Sequence, residues 1–134
     1  MKFKPLKQRS TTNFIVLHHS ASSKMSIEDI HQDHLAKGWA GIGYHFFIEK
    51  TGLVLNGRPK NTIGSHCKTY NDQSIGICLQ GNFEIEYVTE KQMSSLNALI
   101  QSLLKEYPKT QIKLHRELRA TKCPGENFNW RFTN

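Results

Sequence analysis

The chain has no apolar run approaching the roughly 20 residues that a bilayer demands, which excludes a membrane-spanning helix. Its first ten residues carry Lys2, Lys4, Lys7 and Arg9 with no apolar stretch behind them. No secretory leader is therefore expected, and synthesis in the cytoplasm is. Cysteine is scarce and odd in number: Cys67, Cys78 and Cys123 allow at most one disulfide, which excludes a disulfide scaffold and favours thiol or metal chemistry. With 4 prolines, no internal repeat and no biased segment, fibrous and low-complexity architectures are excluded as well. A length of 134 residues gives room for one hydrophobic core and too little for two ordinary domains.

Acid is also in short supply, with 11 Asp and Glu against 18 Lys and Arg and a net charge of +7. The excess sits at the ends: residues 1–9 hold four basic and no acidic residues, and residues 105–134 hold seven and three. Such ends suit an anionic partner, and solvated lysines fit them equally well.

What is present reads as alternating strands and helices. Phe14 to Leu17, followed by His18 and His19, is an unbroken apolar run of the kind buried on both faces of a sheet. Ser26 as N-cap with Asp29 three residues on opens a helix of about three turns, with Ile27, Ile30, His34 and Leu35 on one face and Gly38 at its stop. Tyr44 to Ile48 and Leu53 to Leu55 flank Thr51-Gly52 as a hairpin. Residues 58–73 lack a sustained period and read as a long surface loop carrying His66 and Cys67. Ser74 to Leu79 is a further buried strand. The capping box Thr89-Glu90-Lys91-Gln92 opens a helix whose stripe from Met93 to Tyr107 ends before Pro108. Ile112 to Leu114 makes a short last strand, followed by an irregular tail. The order β-α-β-β-β-α-β gives an α/β fold of mixed α+β character, one mixed central sheet flanked by helices.

Three residues near strand ends suit a metal: His18, His115 and, eight residues later, Cys123. Alternation sends His18 and His19 to opposite faces, so only one of them can enter a given site. Two neutral imidazoles and a thiolate would leave a formal charge of about +1 on Zn²⁺ with a fourth position open, which is the catalytic pattern. Seven histidines in one chain also place some near strand ends by chance.

Five segments in order, Phe14-Ile-Val-Leu-His-His-Ser-Ala-Ser22, Gly38 to Phe47, Gly64-Ser-His-Cys-Lys-Thr-Tyr-Asn71, Ser74-Ile-Gly-Ile-Cys78, and His115 with Thr121-Lys-Cys-Pro-Gly125, resemble the zinc-dependent N-acetylmuramoyl-L-alanine amidases. The resemblance is nearer to the small phage endolysins of the T7 lysozyme type than to the peptidoglycan recognition proteins. It implies hydrolysis of the amide between N-acetylmuramic acid and L-alanine in peptidoglycan. With the charge distribution, it leads to an expected plan of a basic N-terminal segment over 1–13 and a single zinc amidase domain over 14–134. It further implies one Zn²⁺ on His18, His115 and Cys123, with Tyr44 at the reaction centre. Where T7-type enzymes carry a catalytic lysine, two residues before the ligand cysteine, this chain has Thr121, as recognition-protein amidases do. Thr121 keeps a hydroxyl for the oxyanion without a charge, and Lys122 would compensate only if its loop turned inward.

His34 and His66 resemble groove positions for glycan or stem peptide, and Lys122 joins them as a candidate substrate contact. His45 alternates away from Tyr44 and reads as structural. Trp39 fits either a packing anchor at the helix end or a sugar platform. A Cys67–Cys78 disulfide stays open. The partner implied is peptidoglycan or a muropeptide, met at the cell wall after assisted release, by a monomer without direct nucleic-acid binding. Two alternatives follow from the same resemblance: binding of peptidoglycan without cleavage, and inhibition of a phage RNA polymerase through Lys2 to Arg9.

Overall fold

A computed structural model of the chain describes residues 1–130; Arg131 and the end of the expected 14–134 span lie outside the described residues. The elements follow the expected order: β1 (Phe14–His19), α1 (Ile27–Ala36), β2 (Phe46–Ile48), β3 (Val54–Asn56), β4 (Ser74–Leu79), α2 (Glu90–Glu106), β5 (Gln111–Leu114) and the single helical turn α3 (His115–Leu118). The strands form one sheet in the order β3-β2-β4-β1-β5, with the β2–β3 hairpin antiparallel and every other pairing parallel. No helix among the described residues is long and apolar enough to cross a membrane.

Central position explains the composition of β1 and β4. Each has neighbours on both edges and helices over both faces, so β4 is buried throughout and β1 is buried from Ile15 to His19. The pleat then sorts their side chains into two cores. Ile15 and Leu17 join Ile75, Ile77 and Leu79 against Leu96, Ile100 and Leu103 of α2, while Cys78 and Phe47 pack with Ile27 and Ile30 of α1. Both helices begin as the sequence directs: Ser26 and Asp29 exchange cap hydrogen bonds in α1, and Thr89 and Gln92 do so in α2.

Two expectations are corrected. Residues 58–73 are a loop, closed by one 3-10 turn at Asn71–Gln73, but only partly a surface one: Pro59, Asn61, Lys68, Thr69 and Asp72 are exposed, whereas Arg58, Thr62, Gly64 and Cys67 are buried. Arg58 makes this tolerable: its guanidinium donates to the carbonyls of Ile42 (2.9 Å), Ile63 (2.9 Å) and Gly41 (3.4 Å), satisfying irregular backbone that would otherwise be stranded. The tail after β5 is likewise not irregular from its start. The Leu114 N–H donates to the Glu117 carboxylate at 2.7 Å, which starts α3, and the Arg116 N–H then donates to the Cys123 carbonyl at 2.9 Å. That bond folds the segment after α3 back onto it.

The N-terminal residues are pinned to the domain. His31 bonds the Lys2 carbonyl at 2.8 Å, and the Ile63 N–H donates to the Lys7 carbonyl at 2.8 Å. Arg9 donates to the carbonyls of Lys60 (2.6 Å) and Thr62 (2.9 Å), so of the four basic residues here it is occupied within the fold.

Candidate metal centre and cleft

His18 is the last residue but one of the central strand β1, and His115 follows β5, the neighbour of β1 in the sheet. Because His19 points to the opposite face, where its Nδ1 accepts the Phe83 N–H at 3.1 Å, His18 alone of the pair meets His115. The two imidazole centroids lie 4.5 Å apart. The fold-back after α3 completes the group: ligand atoms of His18, His115 and Cys123 all lie within 4.8 Å of one another.

Two observations say that this donor set suits a cation. The His115 Nδ1 is buried with no hydrogen-bond partner, a cost that a metal bond would remove. Burial holds His18 well below the usual imidazole range and lowers His115, so both are neutral and able to donate lone pairs. Burial also pushes the Cys123 thiol up to about 12, so a metal must displace a proton there and gains the thiolate in exchange. The Sγ is already held in place, accepting the His19 N–H at 3.4 Å.

In front of the group lies a cleft of about 570 Å³, lined in part by His34, Trp39, Tyr44, His66, Cys67, His115 and Thr121. Lys37, Lys68 and Arg119 bring positive charge to it, and none of its lining residues is acidic. Tyr44 sits beside the donors, its ring centroid 4.9 Å from that of His18. Burial, with the Cys78 and Cys123 thiols nearby and a hydrogen bond from the phenol to Cys78, pushes it well above the ordinary range, so it keeps its proton. Thr121 accepts the Cys123 N–H on its Oγ1 at 3.3 Å, which leaves the hydroxyl proton free to donate.

The remaining candidates divide. The His34 Nδ1 accepts the Gly43 N–H at 2.9 Å, and the ring borders the cleft. His66 also lines the cleft, but His18 Nε2 lies 2.8 Å from its Nδ1 and Ser74 Oγ 3.1 Å from its Nε2, so both ring nitrogens are engaged. Lys122 is absent from the cleft wall and lines a neighbouring depression with Glu84, Arg116, Thr121 and Glu126. Trp39 stands at the cleft rim, 38% exposed, with its ring packed edge-to-face on His34 at 4.6 Å between centroids and Lys37 Nζ 5.3 Å from it, so it combines a packing role with an accessible face. Cys67 and Cys78 are buried free thiols.

His45 is structural, accepting the Gly76 N–H at 3.0 Å and bonding the Thr62 carbonyl at 2.7 Å. Burial holds both His45 and His34 down to about 4 from an ordinary 6.5. Between those values the unfolded chain binds protons that the folded one refuses, so stability is full above pH 6.5 and is lost as pH falls toward 4. His45 contributes on the order of 2 to 3 kcal/mol to that loss, and His34, whose ring borders the cleft, contributes less. Chemical denaturation of the metal-free protein across this window is expected to show it. A midpoint unchanged from pH 7 to pH 4.5 would contradict both assignments.

A mixed sheet with two histidines at the ends of adjacent strands and a cysteine folded back onto them, a phenol beside them and a cleft in front, is the build of a metal-dependent hydrolase. The family model for N-acetylmuramoyl-L-alanine amidase matches residues 8–126, and the chain belongs to that family of enzymes. It is 39% identical over 128 residues to the endolysin of Escherichia phage T7, a match covering 89% of this chain and 84% of that protein. Among solved structures it resembles the endolysin amidase LysCS from Clostridium intestinale, with a TM-score of 0.92 and 43% identity over 96% of this chain and 85% of that one. It also resembles Drosophila PGRP-LB, with a TM-score of 0.88 and 28% identity over 99% and 90% of the two chains. The amidase fold and enzyme class expected from the sequence both hold.

Proposed function

We propose that the chain cleaves the amide between N-acetylmuramic acid and L-alanine in peptidoglycan as a zinc-dependent endolysin, with one Zn²⁺ held by His18, His115 and Cys123. The convergence of those donors on an unpartnered, buried His115 Nδ1 carries the reading. What a zinc ion would supply there is Lewis acidity toward the scissile carbonyl and toward a water. The residues of the chain supply the rest. Tyr44, kept protonated by burial, donates to the reaction centre and can relay a proton toward the leaving amine. The Thr121 hydroxyl, its lone pair taken by the Cys123 N–H, donates to the developing oxyanion. Lys37, Lys68 and Arg119 favour an anionic polymer in the cleft, and Trp39 offers its ring as a sugar platform at the rim. His34 contributes a ring edge at the wall. Lys122, outside the cleft, has no part in this assignment.

Mass spectrometry of purified peptidoglycan after digestion tests the proposal. Stem peptides with a free N-terminal alanine are expected, lost on chelation and restored by zinc. Intact amide bonds from a folded, zinc-loaded sample would instead favour binding without cleavage. Thr121→Ala is expected to lower kcat by about tenfold to a hundredfold, at or below the range for loss of one oxyanion donor. Full turnover in that variant would remove Thr121 from the mechanism.

A further inference from the structure

A histidine that ligates a metal through one nitrogen must carry its proton on the other, and something must hold it there. Here the holding group is a second histidine. His18 turns its Nδ1 toward Cys123 Sγ, 3.8 Å away, and its Nε2 toward His66 Nδ1 at 2.8 Å. His66 Nε2 in turn faces Ser74 Oγ at 3.1 Å, and the Ser74 hydroxyl donates to the Tyr70 carbonyl at 2.7 Å. The far end fixes the direction of the chain. A carbonyl can only accept, so Ser74 must donate to it and accept from His66 Nε2–H. His66 Nδ1 is then bare and must accept from His18 Nε2–H, which leaves the metal-facing Nδ1 of His18 without a proton. Reversing any link places two donors or two acceptors face to face.

The surroundings hold this arrangement rigidly. Ser74 is fully buried and His18 is 1% exposed, so water does not substitute for either partner. The His66 ring lies against the backbone of Gly76, where a Cβ would stand 2.6 Å from its Cγ. Asn71 Oδ1 accepts the backbone N–H groups of His66 and Cys67 at 2.8 and 2.9 Å, fixing the loop that carries the ring.

We infer that His66 and Ser74 are positioning residues that set the tautomer of His18, so that the site is ready for its metal before the metal arrives. The inference rests on the reading that His18, His115 and Cys123 hold zinc. Zinc affinity, measured by competition with a chromophoric chelator, is expected to fall about tenfold in Ser74→Ala, at the lower end of the range for outer partners of metal ligands. The same substitution is expected to have no effect in a His66→Asn background, because Ser74 acts only through the His66 ring. Unchanged affinity in Ser74→Ala, or an equal loss in both backgrounds, overturns the inference.

Long-range ¹H–¹⁵N NMR of the metal-free wild-type protein supplies a test independent of any variant. Both His18 and His66 are expected as the Nε2–H tautomer, and His18 protonated on Nδ1, or averaging between tautomers, overturns the inference. The two tautomers as expected in a protein that fails to bind zinc would leave the relay standing and remove the zinc reading instead.

Discussion

A Cys123→Ala chain is expected to fold normally yet hydrolyse peptidoglycan at least about a thousandfold more slowly than the wild type, a barrier increase of roughly 4 kcal/mol. Cys123 is the one anionic donor in the group, and without it two neutral imidazoles must hold a dication alone. Metal analysis of the purified variant should therefore find well under one zinc per chain. The fold is not at risk to the same degree: Cys123 lies on the segment after α3, outside both hydrophobic cores, and its Sγ makes only long contacts among the described residues, with the His19 N–H at 3.4 Å, His18 Nδ1 at 3.8 Å and the His19 carbonyl at 4.0 Å. A circular dichroism spectrum like that of the wild type, together with lost metal and lost turnover, is the expected result. Wild-type turnover in this variant would show that the catalytic metal, if there is one, lies elsewhere.

Tyr44→Phe separates chemistry from metal binding. Its expected signature is a fall of about a hundredfold to a thousandfold in kcat, the range for removing one well-placed donor at a developing oxyanion, with zinc content unchanged. The ring remains to pack against His18 and His34, so the cleft keeps its shape and loses only the hydroxyl. The direction of the phenol shift adds a pH test. Burial pushes Tyr44 above its ordinary value, so it stays protonated through neutral and mildly alkaline pH, and the defect should be constant across that range. A defect confined to KM would make Tyr44 a binding residue. A defect that grew as pH rose would make it a group that acts through its ionised form.

Much of this site is legible in the sequence because strand alternation and strand ends are. The apolar run of β1 announces a central strand, and its period of two permits only one of His18 and His19 to face the metal group. Spacing alone does not bring Cys123 to His115; that depends on the Arg116 N–H reaching the Cys123 carbonyl, a contact that leaves no periodic mark. The burial of Arg58, Thr62, Gly64 and Cys67 within the loop 58–73 is illegible for a related reason. Polar composition signals a surface loop, whereas one guanidinium, that of Arg58, satisfies enough carbonyls to bury part of it. His31 was missed because it stands in the helical pattern as one more polar residue, yet it bonds both the Lys2 carbonyl and the Ile42 N–H. One sign of the His66 contact was available. Gly76 interrupts an otherwise bulky buried strand, and a glycine at such a place marks the close approach of another group.

The parallel pairing of β1 with β4 and β5 also bears on how the protein is made. During synthesis β1 emerges before every other strand but finds its first partner only when residues 74–79 have left the ribosome, and its second only with residues 111–114. Until then its apolar side chains have no sheet to join, and such non-local pairing is slow to form. The donor group is later still, since Cys123 follows every strand. A nascent chain therefore carries no complete donor group until residue 123 has emerged, after every strand of the sheet, and products that stop short of Cys123 would lack the third donor however much of the sheet they had formed.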